Sequence, residues 1–377
     1  MIENIFYIFV ALTVFVYLGY PISLSILSIF VQNSHQFEKM YPAVTIIITA
    51  YNEEDKIREK IENSISVVYP KEKLQILIAS DGSTDRTNEI VESFQKQGVE
   101  LLSIPIRGGK EKAQKEAINK SNGDILVFTD VATRLDPKGI EQIVSNFSNP
   151  SIGCVSSEDR VIGKDGKPSE EGFYVRYEMW LRRLESKVNS LVGLSGSFFA
   201  ARKSVCQDFS EELDSDFRTL LNSVKKGLRG ISDPLAIGYY RNISDQNLEF
   251  ERKIRTVLRG LTLFFKNIEF LNVFKYGLFS YQYLCHKLLR WLVPMFLIIV
   301  FLSNIYLAST SLIYFILFLI QLTSIFFVIG KRLNIISSTP MLINVIIYFI
   351  TVNMSILIAW YRYLKGERII IWNPSER

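Results

Sequence analysis

Four long apolar stretches stand out in the pattern of hydrophobic and polar positions along the chain. The first, "IFYIFVALTVFVYLGYPISLSILSIFV" (5–31), contains no charged residue, and three further uncharged stretches follow at 291–309, 311–330 and 340–361. About 20 consecutive apolar residues are enough to cross a bilayer. A signal peptide would have a shorter apolar core and a basic start, whereas this chain begins "MIEN". The pattern therefore predicts one N-terminal and three C-terminal transmembrane helices.

The polar region between these stretches has the pattern of an α/β domain. Short apolar runs that predict β-strands occur at 43–50, 74–80, 100–105 and 124–130. Segments with apolar residues at helical spacing separate them, and this alternation predicts a mostly parallel sheet. In such a sheet the ligand binds at the carboxyl ends of the strands. Three polar motifs are expected to meet there: "YNEE" (51–54), "SDGSTD" (80–85) and "TDVAT" (129–133).

Net charge and cysteine content limit which partners and which cellular compartment we expect. The net charge is only +5 and the chain has no Lys/Arg tract, so we expect no nucleic-acid partner. Three widely separated cysteines favour a reducing compartment over disulfides or zinc. Basic residues in "HKLLR" (286–290) and "GKR" (330–332) favour a cytoplasmic middle domain. Four crossings would leave the basic "RYLKGER" (362–368) outside. Either this tail is external despite its charge, or one apolar run, such as the first with Pro21, does not cross.

The polar motifs allow two interpretations each. Asp81 follows a predicted strand in "SDGSTD", a motif in which Ser83 or Thr84 could simply cap the next helix, or in which Asp81 could bind a nucleotide base. Asp130 also ends a predicted strand, and it could either cap a helix or bind a divalent cation that bridges phosphates. "RGGK" (107–110) could contact phosphate, although it lacks the spacing of a P-loop. "ELDSDF" (212–217) is either a solvated acidic turn or the source of a general base.

Two later segments complete the set of candidate sites. "GLSGSFFAARKS" (193–204) combines small residues, which allow a backbone to approach a ligand closely, with a following apolar strand. "FERKIRTVLRGL" (250–261) is basic and amphipathic. Its arginines suit a diphosphate, but they suit lipid headgroups equally well.

In this order along the chain, the motifs resemble those of the membrane-embedded family-2 glycosyltransferases, which include cellulose, chitin, hyaluronan and poly-N-acetylglucosamine synthases. The resemblance covers roughly residues 40–262. It implies a Rossmann-like GT-A fold with a mostly parallel sheet, a nucleotide-diphosphate sugar donor, most simply a UDP-sugar, and a divalent cation, Mg²⁺ or Mn²⁺. The expected activity is inverting hexosyl transfer to a glycan or a lipid-linked acceptor at the plasma membrane, including polysaccharide biosynthesis.

The resemblance also implies roles for individual residues. Asp130 would bind the metal and Asp216 would be the general base, with Asp214 as the alternative base. The remaining positions would bind substrate: Tyr51, Glu53 and Asp81 at the nucleoside, Lys110 near the donor, Ser195, Gly196 and Ser197 at the acceptor, and Arg252 and Arg255 in the arginine-rich segment. The implied domains are a transmembrane helix at 1–35, a GT-A domain at 40–250, interfacial helices at 251–290 and three transmembrane helices at 291–377.

Two positions depart from the family pattern. Ala132 stands where a second acid or Asn often accompanies the metal-binding Asp, which bears on metal dependence. "RKIRT" (252–256) lacks the Trp of the Gln-x-x-Arg-Trp motif of processive synthases, so both chain elongation and transfer of a single sugar remain open. The alternative from another class is a non-catalytic membrane subunit or transporter with a degenerate transferase domain. Intact Asp81, Asp130 and Asp216 favour the enzyme.

Overall fold

The structure, a computed structural model, describes residues 1–31, 37–162, 173–209, 215–241, 246–333, 335–336 and 340–368. The chain divides into two compact units. One consists of Leu24–Ser244 with Asn272–Phe279 and contains the sheet; the other consists of Met1–Ser23, Asp245–Leu271 and Ser280–Arg368 and contains most of the long apolar helices.

One eight-stranded mixed sheet forms the centre of the first unit. Its strands are β1 (Val44–Ala50), β2 (Leu74–Asp81), β3 (Val99–Ile104), β4 (Ile125–Asp130), β5 (Arg134–Leu135), β6 (Ile152–Ile162), β7 (Phe198–Arg202) and β8 (Arg229–Arg241). The order across the sheet is β3-β2-β1-β4-β7-β6-β8-β5. β1 to β4 are mutually parallel, whereas β7 is antiparallel to both of its neighbours. The predicted mostly parallel, Rossmann-like sheet is confirmed.

The parallel half of the sheet is buried on both faces, which explains its continuous apolar strands. Along β1, Ile46 and Ile48 face one core and Ile47 faces the other. Helices cover the two faces: α2 (Ile57–Ile65), α3 (Thr87–Glu92), α4 (Lys110–Lys120), α5 (Gly139–Ser145), α6 (Phe173–Val188) and α7 (Ser215–Lys225). The four predicted strands all form, within one residue of the predicted ends. The polar tips of β1, β2 and β4 therefore lie along one edge.

The other half of the sheet contains elements that the apolar pattern did not predict. β6 carries the polar run "SSEDR" (156–160) in its second half, and β8 contains Pro234 with shifts of register near it. Neither strand shows the uninterrupted apolar run on which the other predictions rested. Their backbones nevertheless pair with each other along most of their length.

The second unit is helical. Its helices are α1 (Ile2–Phe30, which extends into the first unit), α8 (Gln246–Lys266), α10 (Leu278–Leu307), α11 (Leu312–Arg332) and α12 (Met341–Leu364); the short α9 (Val273–Tyr276) precedes α10. Four of these helices, α1, α10, α11 and α12, are long and apolar enough to cross a membrane. The predicted domain bounds at 251 and 291 stay predictions, and both fall inside helices that begin earlier. α8 begins at Gln246 rather than at 251, and α10 begins at Leu278 rather than at 291, because the basic "HKLLR" continues the helix instead of ending it.

Polar side chains inside this unit are engaged in packing. The amide of Asn304 on α10 donates to Gln321 on α11 at 3.0 Å, and the Trp360 indole N–H donates to the carbonyl of Trp291 at 2.8 Å. α8 contacts α12 through Lys253, which lies 4.5 Å from the ring centre of Tyr348. These contacts are of the kind that hold apolar helices together in a bilayer.

Candidate active site

Hydrogen bonds join the loop after β1 to the loop after β2. The side-chain oxygen of Asn52 accepts from the backbone N–H of Thr84 at 2.8 Å, and the N–H of Glu54 donates to Asp85 at 3.0 Å. Asn52 adopts a positive φ of 50°, a conformation that asparagine tolerates better than most residues. The "YNEE" and "SDGSTD" motifs therefore form one rigid rim at the edge of the sheet.

Asp81 holds the glycine-rich loop in place. Its carboxylate is 4% exposed and accepts the backbone N–H groups of Gly108 at 2.8 Å and Gly109 at 2.7 Å. The adjacent Gly82 has a φ of 69°, and a Cβ there would lie 2.7 Å from the backbone nitrogen of Arg107. Asp81 thus has a structural role in addition to the predicted contact with the nucleoside, which stays a prediction.

Tyr51 and Arg107 form a stacked pair beside this loop. The guanidinium carbon of Arg107 lies 3.8 Å from the centre of the Tyr51 ring. Guanidinium groups commonly stack on aromatic faces, and the pair presents a flat, amphipathic surface. Arg107 was not among the predicted substrate-binding residues, although its place in "RGGK" beside Lys110 was a signal.

The end of β4 carries a close ion pair. The Lys110 ammonium, at the start of α4, lies 2.5 Å from Oδ1 of Asp130 and donates to the carbonyl of Gly196 at 3.2 Å. Burial disfavours the charged form of Lys110, but the charge and hydrogen bond of Asp130 outweigh burial, and the pKa of Lys110 is raised. Lys110 is therefore held as a cation at the position where the donor was predicted.

Two further ionisable groups lie near Asp130. Burial raises the pKa of Glu53; Lys56 partly offsets this effect, and the negative charge of Asp130 adds to it. Lys60 is 2% exposed, and its amine donates to Oγ1 of Thr129 at 2.9 Å and to the carbonyl of Thr133 at 2.5 Å. Burial lowers the pKa of Lys60 to about 7, against the opposing effect of Asp130. Lys60 holds the "TDVAT" loop through hydrogen bonds from the buried side. The sequence motifs did not predict this residue.

The segment Ser195–Ser197 connects the two halves of the sheet. The N–H of Asp130 donates to the carbonyl of Ser197 at 3.1 Å, which continues the pairing of β4 with β7. The hydroxyl of Ser195 donates to both oxygens of Asp159, at 2.8 and 2.7 Å, and the hydroxyl of Ser197 donates to Asp159 at 2.9 Å. Asp159, on β6, was not predicted, and only the acidic pair in "SSEDR" could have drawn attention to it.

Asp216 lies against the same segment. It begins α7, and a Cβ at Gly196 would lie 2.9 Å from its Oδ2. Its charge also acts on Lys110. The structure therefore brings Asp216 together with the predicted residues Ser195, Gly196, Ser197 and Lys110. Its predicted alternative, Asp214, lies outside the described residues.

Arg252 and Arg255 belong to α8 in the second unit. The guanidinium of Arg252 binds Glu249 one turn earlier through two hydrogen bonds, at 2.7 and 2.8 Å. Their predicted role at the donor stays a prediction.

Asp130 fits a divalent cation that receives its other ligands from substrate. Mg²⁺ is commonly held by one or two carboxylates together with phosphate oxygens and water. Asp130 keeps one oxygen beyond the one that meets Lys110, and its side chain is 22% exposed. The described part of the chain contains no group of three metal-ligating His, Cys, Asp or Glu side chains, in agreement with Ala132. The protein alone supplies a partial site, and a diphosphate would complete it.

The fold and this edge of the sheet define a glycosyltransferase domain of the GT-A class. Across 98% of this chain and all of the other chain, the fold matches that of a mannosyltransferase from Pyrobaculum calidifontis, solved with GDP-Man and Mn²⁺, with a TM-score of 0.77 and 19% identity. Residues 45–209 match the model of glycosyl transferase family 2, and the chain carries a domain of that family.

Curated relatives resemble part of the chain. A poly-beta-1,6-N-acetyl-D-glucosamine synthase from Staphylococcus epidermidis is 23% identical over 59% of this chain and 51% of its own length. A beta-monoglucosyldiacylglycerol synthase from Synechocystis is 23% identical over 54% of this chain and 47% of its own. The chain thus spans about half the length of these relatives.

Proposed function

We propose that the protein is an inverting membrane hexosyltransferase that moves a sugar from a nucleoside diphosphate to a hydroxyl of a lipid-linked or glycan acceptor. The observation that carries this proposal is the convergence of Lys110, Asp130 and Asp216 on the segment Ser195–Ser197. A donor-binding cation, a metal-binding carboxylate and a potential base meet there within one short stretch of backbone.

In the proposed reaction, Asp216 takes the proton of the acceptor hydroxyl. The hydroxyl oxygen then forms a bond to the anomeric carbon from the side opposite the nucleotide, and the bond from that carbon to the diphosphate oxygen breaks. The diphosphate leaves with the electron pair, and its growing charge is the main electrostatic demand of the step. Lys110 meets part of this demand from a fixed position.

Asp130 would hold the divalent cation together with diphosphate oxygens. When bound, the cation would supply positive charge that stabilises the departing diphosphate. The mannosyltransferase of the same fold was solved with Mn²⁺. We therefore expect Mn²⁺ or Mg²⁺ to be required, with Lys60 and Lys110 fixing the carboxylate and its loop from either side.

The nucleotide is a uridine or guanosine diphosphate in this proposal. The family resemblance favours UDP, whereas the mannosyltransferase carries GDP-Man. The stacked pair Tyr51–Arg107 is a surface on which either base could lie. The four apolar helices and the basic residues that flank them favour a catalytic unit on the cytoplasmic side of the plasma membrane.

The test is release of nucleoside diphosphate by the full-length protein in lipid nanodiscs. UDP- and GDP-linked glucose, N-acetylglucosamine, galactose and mannose are supplied one at a time with Mn²⁺ or Mg²⁺. We expect one donor to be consumed well above the others. A ladder of products would identify a polysaccharide synthase and a single small product a transferase of one sugar. Absence of release with every donor, in the presence of lipid and glycan acceptors, would contradict the proposal.

A further inference from the structure

The surroundings of Ser195–Ser197 favour one chemical class of acceptor. A serine hydroxyl has one proton to donate and two lone pairs that accept. The hydroxyls of Ser195 and Ser197 lie 2.7–2.9 Å from the carboxylate of Asp159, which can only accept, and 2.9 Å from each other, so their protons are used within this cluster. The hydroxyl of Ser157 donates to the carbonyl of Phe198 at 2.6 Å, and its oxygen lies 3.3 Å from Asp159. These side chains can then offer only lone pairs to a ligand.

Negative charge lies on both sides of the same segment. Asp159 contacts the two serines of the segment, and Asp216 lies against Gly196. Asp159, Ser197 and Asp216 are each half-buried, so part of each side chain remains accessible, whereas Ser195 is 3% exposed. Charges of like sign a few ångströms apart in a partly buried site repel each other appreciably. An anionic group bound beside this segment would face two carboxylates.

The described cations nearest to this segment have partners, and one of them, Lys110, also donates to the backbone carbonyl of Gly196 at 3.2 Å. Lys110 is paired with Asp130. Arg183 lies 3.2 Å from the carboxylate of Glu158, and Arg182 lies 3.4 Å from the hydroxyl of Ser156. Arg160 follows Asp159 on β6, and consecutive residues of a strand point to opposite faces. The backbone side of the segment therefore faces Lys110 and the donor, whereas its side chains, together with Asp159, present hydrogen-bond acceptors and negative charge to an acceptor.

We propose that Asp159 is a specificity-determining residue that selects a neutral acceptor, one that offers hydroxyl hydrogens, over an acceptor that carries a phosphate. A phosphomonoester bears a charge of about −1.5 to −2 at neutral pH and mainly accepts hydrogen bonds, so it has the wrong charge and the wrong polarity for this surface. A sugar or glycerol hydroxyl donates its proton and fits. This inference rests on the proposed function and specifies the chemical class of the acceptor.

The experiment uses two matched pairs of lipids in nanodiscs with the full-length protein and the donor identified by nucleotide release. The pairs are dioleoylglycerol with dioleoylphosphatidic acid, and undecaprenol with undecaprenyl phosphate. Within each pair only the phosphate differs. We expect the neutral member of at least one pair to be glycosylated at least about tenfold faster, which corresponds to about 1.4 kcal/mol. Faster glycosylation of either phosphorylated lipid would overturn the inference.

Soluble sugars test a glycan acceptor in the same way. N-acetylglucosamine, which is neutral, is compared with its 6-phosphate, and transfer to the phosphorylated sugar at an equal or higher rate would also overturn the inference. Donor-dependent nucleotide release without transfer to any neutral probe, but with transfer to a phosphorylated one, leaves the proposed function intact while rejecting the inference. Absence of nucleotide release rejects the proposed function instead.

Variants then assign the preference to Asp159. In Asp159→Asn the advantage of the neutral member should shrink at least about threefold, while the affinity for the nucleoside diphosphate stays within about twofold of wild type. Asp208→Asn is the matched control, because the Asp208 side chain is 71% exposed. A merely structural role for Asp159 would lower all rates equally and leave the ratio unchanged, which would contradict the assignment. If Asp159→Asn does not fold, Ser197→Ala tests the same surface by removing one hydroxyl and leaving Ser195 bound to Asp159.

Discussion

The two halves of the catalytic sheet are built on different principles. In the parallel half, β1 to β4 end in short motifs whose backbone and side chains bind one another, as Asp81 binds the loop of Gly108 and Gly109. In the mixed half, which contains β5 to β8, Asp159 on β6 and Asp216 on α7 meet at Ser195–Ser197. The first half builds its edge from motifs that directly follow apolar strands, and in the proposed function it binds the nucleotide. The second half builds its edge from side chains of a strand, a loop and a helix, and in the proposed function it binds the acceptor.

This difference predicts that variants in the parallel half alter donor binding, whereas variants in the mixed half alter transfer. The segment Ser195–Ser197 belongs to both sides, because Lys110 and Asp130 bind its backbone while Asp159 binds its side chains. Variants at its glycine should separate the two effects most clearly.

The largest effect in the parallel half is expected for Asp130→Ala. Removal of the carboxylate that would hold the cation should lower kcat/KM by about 10²–10³-fold. The donor affinity should also lose its dependence on Mn²⁺, as measured by calorimetric titration with the nucleoside diphosphate with and without the metal. Asp136→Ala, on the neighbouring turn, is the control. Unchanged metal dependence in Asp130→Ala would place the cation elsewhere.

The proposed separation of donor binding from transfer is tested most directly by Gly196→Ala. A Cβ at this position would lie 2.9 Å from Oδ2 of Asp216, so the carboxylate must move. Displacement of a catalytic group by about 1 Å can lower a rate by about 10²-fold. We expect kcat to fall by this order while the Kd for the nucleoside diphosphate changes little. Gly227→Ala is a poor control because of its φ of 75°, so Ser151→Ala serves instead. An equal loss of nucleotide binding would show that the two halves are not separable.

A smaller effect is expected at the nucleotide-binding surface. Tyr51→Ala removes the ring on which Arg107 stacks at 3.8 Å. Such a contact is worth about 0.5–2 kcal/mol, or roughly 3–30-fold in affinity. Donor KM should rise by this factor and kcat should stay nearly constant. Tyr51→Phe retains the ring and should behave like wild type. A fall in kcat without a change in KM would assign Tyr51 to the acceptor side.

The smallest effect concerns the buried Lys60. Its pKa is lowered to about 7, so above that pH the folded protein holds a neutral amine while the unfolded chain still binds a proton, up to the ordinary pKa of about 10.4. Stability contributed by this group therefore increases as the pH rises from about 7. The melting temperature of wild type minus that of Lys60→Met should increase by a few degrees between pH 6.5 and pH 8.5. A constant difference would mean that Lys60 keeps its charge.

The sequence predicted the parallel half well, because each of its motifs follows directly on an apolar strand. Tyr51, Asp81, Lys110 and Asp130 could be placed at one edge from that rule alone. The mixed half was harder to predict, since polar residues or proline interrupt the apolar runs of β6 and β8, and these two strands pair across a long separation in the sequence. Asp159 and Lys60 were missed for the same reason. Their importance comes from side chains that are distant in the sequence, and no local motif marks them.

The proposed mechanism depends most directly on Asp216 as the general base, and one set of measurements tests this role. Transfer and nucleotide binding are measured in parallel for wild type, Asp216→Asn and the exposed control Asp208→Asn. A general base contributes about 10²–10⁴-fold, so Asp216→Asn should lose transfer by that factor, keep its Kd for the nucleoside diphosphate, and differ in both respects from Asp208→Asn. Normal transfer by Asp216→Asn would contradict the account.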